Sequence, residues 1–95
     1  MKFMVSWKVH EDQRHDALKT FTGMSANDAA DAFGGLEVIG RWHDLVGFTG
    51  VAIVETNDPN ALAAWPLKRN HSIDIQSIPV FDDDKARAVG RQALD

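Results

Sequence analysis

The 95-residue chain contains no cysteine and no tyrosine, and it has only three prolines. Without cysteine there is no disulfide bond, no thiolate zinc site and no cysteine nucleophile. No apolar run approaches the roughly 20 residues that a helix needs to span a bilayer. The first ten residues, MKFMVSWKVH, lack the long apolar stretch and small-residue cleavage site of a signal peptide. Together these features predict a cytoplasmic protein.

Positive charge is also scarce. The chain has 10 lysine and arginine residues against 14 aspartate and glutamate residues, a net charge of −4, and the basic residues are scattered. A general attraction to nucleic acid or to an anionic membrane is therefore not expected. The length fits a single domain over residues 1–95, which buries only about two-thirds of its unfolded surface. A domain this small is only marginally stable on its own, so association with another chain is a natural way to bury more apolar surface.

Four stretches have the alternation and the β-forming side chains that are typical of strands. They cover residues 2–10, 36–43, 48–56 and 72–81. The short gap DLVG between the second and third stretches predicts a hairpin, with residue 43 opposite 48 and 41 opposite 50. Pro79 removes a backbone donor, which predicts that the last strand lies at a sheet edge.

Other stretches repeat apolar residues at spacings of three and four, which predicts helices. The first covers residues 11–24, with a short continuation over 25–33. Asp58-Pro59 begins the second, which Pro66 is expected to kink or end, and DDD at 82–84 begins the third. The order β-α-β-β-α-β plus a C-terminal helix predicts a ferredoxin-like α+β fold. Its antiparallel sheet has the order 4-1-3-2, with the first two helices on one face.

Alternation also predicts which side chains lie under the helices. This apolar face is expected to collect Phe3, Val5, Trp7, Val9, Leu36, Val38, Trp42, Val51, Ile53, Ile73 and Ile75. Trp65 covers it from the second helix, so three tryptophans meet around one core. The trio has two interpretations. It fills a small core, or it lines an aromatic pocket between helices and sheet.

The second face of the predicted sheet is mixed. It is expected to carry Arg41 and His43 beside the space left by Gly50, together with Ile39, Ala52 and Val54. A surface this apolar usually marks an interface, so we expect it to pack on a second copy of the chain. His43 and Asp44 point to opposite faces and are not expected to form a dyad.

Four segments, MKFMVSWKVH, GRWHDLVGFTGVAIVET, ALAAW and DDDKARAVGRQ, resemble an uncharacterised bacterial family of the dimeric α/β-barrel superfamily. The resemblance covers nearly the whole chain and implies two ferredoxin-like subunits joined sheet to sheet. Related proteins include cofactor-independent monooxygenases, haem-degrading enzymes and muconolactone-isomerase-like enzymes. The haem-degrading relatives use an asparagine, and the first strand offers Ser6 instead, so no cofactor is expected.

Three functions remain open at this point. The first is a homodimeric protein that binds a small, aromatic or anionic molecule through Arg41, Trp7, Trp42 and Trp65, with no established activity. The second is a cofactor-free oxygenase or isomerase in which His43 is the catalytic proton acceptor or donor. The third is a structural or interaction module. No metal site is expected, because the spacing of the histidines does not suit shared coordination.

Overall fold

The structure, a computed structural model, describes residues 1–25 and 33–95. Its elements are β1 (Lys2–Val9), α1 (Arg14–Thr22), β2 (Glu37–Asp44), β3 (Thr49–Glu55), α2 (Pro59–Arg69), β4 (Ile73–Val80) and α3 (Asp83–Leu94), with a 3-10 turn at Glu11–Gln13. The strands form an antiparallel sheet in the order β2-β3-β1-β4. The predicted α+β class and ferredoxin-like order are confirmed, and β4 lies at an edge as Pro79 indicated. The predicted helical continuation over 26–32 lies outside the described residues.

Local chemistry explains where the later helices begin. The Asp58 carboxylate accepts a hydrogen bond from the Asn60 backbone N–H at 2.9 Å, and Pro59 follows at the first helical position. The Asp82 carboxylate caps α3 in the same way. Of the two predicted effects of Pro66, a kink or an end, the end does not occur, because α2 continues to Arg69. Proline removes only its own N–H, and its carbonyl still accepts from the Asn70 N–H at 2.8 Å.

A β-bulge in β2 decides which side chains share a face. Val38 lies opposite Val54, but the next pair is Gly40 with Ile53, so Ile39 is an extra residue. Beyond the bulge, Arg41 lies opposite Ala52 and His43 opposite Gly50. In turn Ala52 pairs with Val5 and Gly50 with Trp7 on β1. Arg41 and His43 therefore lie on the same face as Trp7, under the helices, and their predicted placement on the opposite face is wrong.

The core lies between this face and the helices. Its buried apolar residues are Val5, Trp7, Phe33, Leu36, Ala52, Val54 and Trp65. The Trp7 and Trp65 ring centroids are 6.0 Å apart, so two of the three predicted tryptophans meet there. Trp42 does not, because it lies on the other face with 61% of its surface exposed. Ala52 and Val54, predicted for an interface, are fully buried instead.

The uncovered side of the sheet, called here the outer face, carries Met4, Trp42, Val51, Ile53 and Ile78 in register across the four strands. Beyond β4, α3 extends from the body, and all its residues except Gly90 are exposed. Its apolar residues repeat at helical spacing through Ala86, Val89, Ala93 and Leu94. None of the helices within the described ranges is both long and apolar enough to cross a bilayer.

Candidate functional site

A cavity of about 430 Å³ lies against the covered face of the sheet. Its walls come from every strand and from α1 and α2, and they include Trp7, Phe21, Arg41, His43, Trp65 and Arg69. The volume falls within the range of roughly 300–1,000 Å³ that small-molecule sites occupy. Its walls combine aromatic rings with a few polar groups, which is the usual composition of such sites.

Arg41 is the most unusual side chain of this cavity. Its guanidinium carbon lies 4.9 Å from the Phe33 ring centroid and 5.5 Å from those of Trp7 and Phe21. Its Nε is buried and has no hydrogen-bond partner among the described residues. Burial lowers the pKa of Arg41, and the nearby charge of Arg69 lowers it further. A cation is thus held among rings in a setting that disfavours its charge.

Arg69 brings a second cation to the cavity from the last turn of α2. Its guanidinium carbon lies 4.9 Å from the Trp65 ring centroid, and its Nη1 donates to the Trp65 carbonyl at 3.3 Å. Burial lowers the pKa of Arg69 as well. Arginine remains charged through such shifts, so a second cation lies near Arg41.

His43 lies beside Arg41 on the wall formed by β2. Its ring centroid is 4.5 Å from that of Phe21 and 5.8 Å from that of Trp7. Burial lowers the pKa of His43, and the Arg41 charge lowers it further. The imidazole is therefore mostly neutral at neutral pH, and one ring nitrogen can accept a proton or a hydrogen bond.

The neighbouring Asp44 serves the hairpin turn. Its Oδ1 accepts from the Val46 and Gly47 backbone N–H groups, each at 3.0 Å. These bonds hold the pKa of Asp44 below its usual range. Phe48, in the left-handed region with φ 54°, completes the turn. The Asp44 carboxylate is therefore held by local backbone donors.

The two core tryptophans form the inner end of the cavity. Trp65 stacks on Phe33 with centroids 4.8 Å apart and ring planes 6° from parallel. Its indole Nε1 is buried without a hydrogen-bond partner in the described residues. The Trp7 indole lies over Gly50, where a Cβ would overlap the ring. The space predicted above Gly50 is thus filled by Trp7, and the cavity lies beyond it.

Four of the five predicted site residues line this cavity: Trp7, Arg41, His43 and Trp65. Their roles in binding or catalysis stay predictions. Trp42 lies on the outer face and is not among the lining residues. Sequence reasoning missed Phe21 and Arg69. Phe21 had the signal of an apolar position on α1, whereas Arg69 follows Pro66, which was expected to kink or end the helix.

The cavity therefore offers aromatic surfaces, the guanidinium group of Arg41 and a mostly neutral imidazole. This set can bind a flat molecule, orient a polar group on it and accept a proton from it. No cluster of three or more histidine, aspartate or glutamate side chains with the arrangement of a metal site occurs in residues 1–25 and 33–95.

The chain matches a family whose function is not assigned. Residues 1–94 match the domain of unknown function DUF3303. Because the match extends over nearly the whole sequence, the chain belongs to this family. No curated protein matches the chain.

Proposed function

We propose that the protein binds a small molecule with a flat, apolar body in the cavity between the sheet and helices α1 and α2. One observation carries the proposal: a cavity of ligand size is lined by aromatic rings and by Arg41, whose Nε is buried without a hydrogen-bond partner in the described residues. Buried polar groups are nearly always hydrogen-bonded, and each one left unpaired destabilises the fold. A ligand with acceptor atoms would pair with the guanidinium group of Arg41, which lines the cavity.

The aromatic walls favour a ring-bearing ligand. Trp7, Phe21, His43 and Trp65 all contribute to the lining. Aromatic rings pack well against one another in stacked or edge-to-face arrangements, which stabilise a flat ligand more than a branched one. A molecule of one or two rings matches a volume of about 430 Å³.

A cavity-filling variant tests this proposal. Ala17 lies on α1 and lines the cavity, whereas Ala63 is exposed on α2 and does not. Isothermal titration with two-ring aromatic compounds should show binding to the wild type and to Ala63→Leu. Ala17→Leu should weaken that binding at least tenfold while circular dichroism shows an intact fold. Equal affinity in both variants would mean that the ligand binds elsewhere. No binding by any of the three proteins would favour a structural module.

His43 favours catalysis as a second candidate function. Its neutral ring faces the cavity beside a cation, which is the arrangement of a general base next to a group that stabilises negative charge. In such a reaction a ligand C–H bond breaks, its proton moves to the imidazole and the electron pair stays on the ligand. Cofactor-free oxygenation and isomerisation both begin in this way. Proton-deuterium exchange into a bound ligand, followed by NMR, should occur in the wild type and be lost in His43→Gln.

We also propose a homodimer, formed through the outer face and α3. Trp42 and Ile78 are 61% and 46% exposed on this face, and Ile39 in the bulge is 54% exposed, an unusual loss of apolar burial for a small domain. Four strands of about eight residues cover roughly 500 Å². A stable interface buries about 800 Å² on each partner, so the sheet alone falls short. The apolar stripe of α3, on a helix about 18 Å long, supplies further area.

The dimer is tested by placing a charge on the outer face. Light scattering at micromolar concentration should give twice the 10.5 kDa chain mass for the wild type. Trp42→Lys should shift the protein to the monomer mass. Val46→Lys is the matched control, because Val46 is 91% exposed in the hairpin turn. A wild-type monomer at high concentration would contradict the proposal.

A further inference from the structure

The charge of the ligand follows from the surroundings of Arg41. Its guanidinium group lies between the rings of Phe21 and Phe33 and over Trp7, and it is half-buried. Within the described parts of the chain, no carboxylate forms an ion pair with it. Partly buried cations usually have an anionic partner, because water no longer solvates them fully.

The acidic side chains near the cavity do not fill this role. Asp44 lines the cavity, but its carboxylate accepts from Val46, Gly47 and Thr49 in the turn. Asp16 also contributes to the lining, and it is exposed on the first turn of α1. Neither carboxylate forms an ion pair with Arg41. The cation therefore keeps its capacity to bind an anion.

Arg69 strengthens the preference for a negative charge. It lines the same cavity, and its charge acts on Arg41 strongly enough to lower the pKa of that guanidinium. An anion bound to Arg41 would offset this repulsion. The planar fork of arginine matches a carboxylate or sulfonate, whose two coplanar oxygens accept parallel N–H groups.

We infer that the natural ligand is an aromatic acid whose single anionic group is held by Arg41 while its ring lies against Trp7 and Phe21. This inference rests on the proposed cavity site and adds the chemical class of its ligand. The ring of such a ligand packs against the aromatic walls, and its anionic group forms an ion pair with the Arg41 guanidinium. A neutral ring compound would meet only the first requirement.

A matched pair of probes separates charge from shape. 2-Naphthoate and 2-naphthamide share one ring system and nearly one size, and they differ in charge. Isothermal titration at pH 7.5 should show that the wild type binds 2-naphthoate at least tenfold more tightly than 2-naphthamide. In Arg41→Gln this preference should fall to less than threefold, with affinity for the amide retained. Arg91→Gln, on exposed α3, is the control and should keep the wild-type preference.

Each result bears on a different proposal. If the wild type binds both probes equally, the inferred charge is wrong, whereas the cavity site stands. If Arg41→Gln keeps the full preference, the anion is held elsewhere and the role of Arg41 is wrong. If neither probe binds the wild type, both this inference and the cavity site fail. The comparison of probes in the wild type remains decisive even if Arg41→Gln does not fold.

Discussion

Trp7 and Trp42 lie on opposite faces of one sheet, and each indole occupies the space above a glycine. A Cβ at Gly50 would overlap the Trp7 ring, and a Cβ at Gly40 would overlap the Trp42 ring. The two rings differ in what covers them. Trp7 is 9% exposed beneath Trp65, whereas Trp42 is 61% exposed. A glycine fixes where each ring lies, and burial decides whether the ring stabilises the chain or remains available to a partner.

The contrast extends to the polar neighbours of each ring. Trp7 contacts the Arg41 cation and the edge of the His43 ring, so it belongs both to the core and to the cavity wall. The strand positions beside Trp42 on the outer face are occupied by Val51 and Ser6. The covered face therefore carries the cavity, whereas the outer face combines an apolar band with polar and charged side chains such as Lys8, Asp74 and Gln76.

The largest expected effect comes from removing each ring in turn. Trp7→Ala should lower the free energy of unfolding by about 3–5 kcal/mol, because it leaves a large cavity in a small core. Trp42→Ala should lower it by less than about 1 kcal/mol, since an exposed ring loses few contacts. Urea denaturation of dilute, monomeric protein measures both. Similar losses for the two variants would contradict the assignment of the faces.

A smaller effect should follow from adding one methyl group to each glycine. Gly50→Ala should cost about 1–3 kcal/mol, because the Trp7 indole is buried and cannot move without disturbing the core. Gly40→Ala should cost less than about 1 kcal/mol, since the exposed Trp42 ring can rotate away. Thermal melting of the pair checks this. A greater loss for Gly40→Ala would mean that the outer face is the more tightly packed one.

The smallest effect concerns the pH dependence of the covered face. The pKa of His43 is lowered in the folded protein, so the unfolded chain binds more protons below about pH 6.5. Stability from this group is present above that pH and is lost as the pH falls through the folded pKa. The other charged groups along the cavity wall are Arg41 and Asp44 on β2, Arg69 on α2 and Asp16 on α1.

NMR titration of the His43 ring should give a midpoint below 6.5, and His43→Gln should reduce the slope of stability against pH below about 6.5. The effect is small because the ring is partly exposed. A midpoint at or above the ordinary value would contradict the lowered pKa.

The sequence predicts the elements of this fold better than it predicts the faces of the sheet. Each predicted strand lies within a residue or two of an observed one, because alternation and turn residues are local signals. Local signals do not show which residues of β3 face the helices. Its segment VAIV is apolar at every position, so either set of alternate residues would bury hydrophobic side chains. Only the pairing with β1, a long-range contact, decides that Ala52 and Val54 lie under the helices.

The errors at the candidate site have two local causes. The hairpin was predicted with residue 43 opposite 48, but His43 lies opposite Gly50, because the turn extends through the left-handed Phe48. The bulge at Ile39 then reverses the alternation, which moved Arg41 and His43 to the covered face and Trp42 away from it. A bulge without glycine in its extra position leaves little trace in a single sequence.

The extra residue at position 39 also bears on how this protein can evolve. Deleting the codon for this residue would join Val38 directly to Gly40, and β2 would alternate without a break while Arg41, Trp42 and His43 kept their partners on β3. If the bulge straightened with the residue retained, the pairing would shift by one and those three side chains would exchange faces. A chain of this family that lacks the extra residue is therefore expected to keep the same cavity wall. The bulge lets β2 carry one more residue without changing which side chains face the cavity.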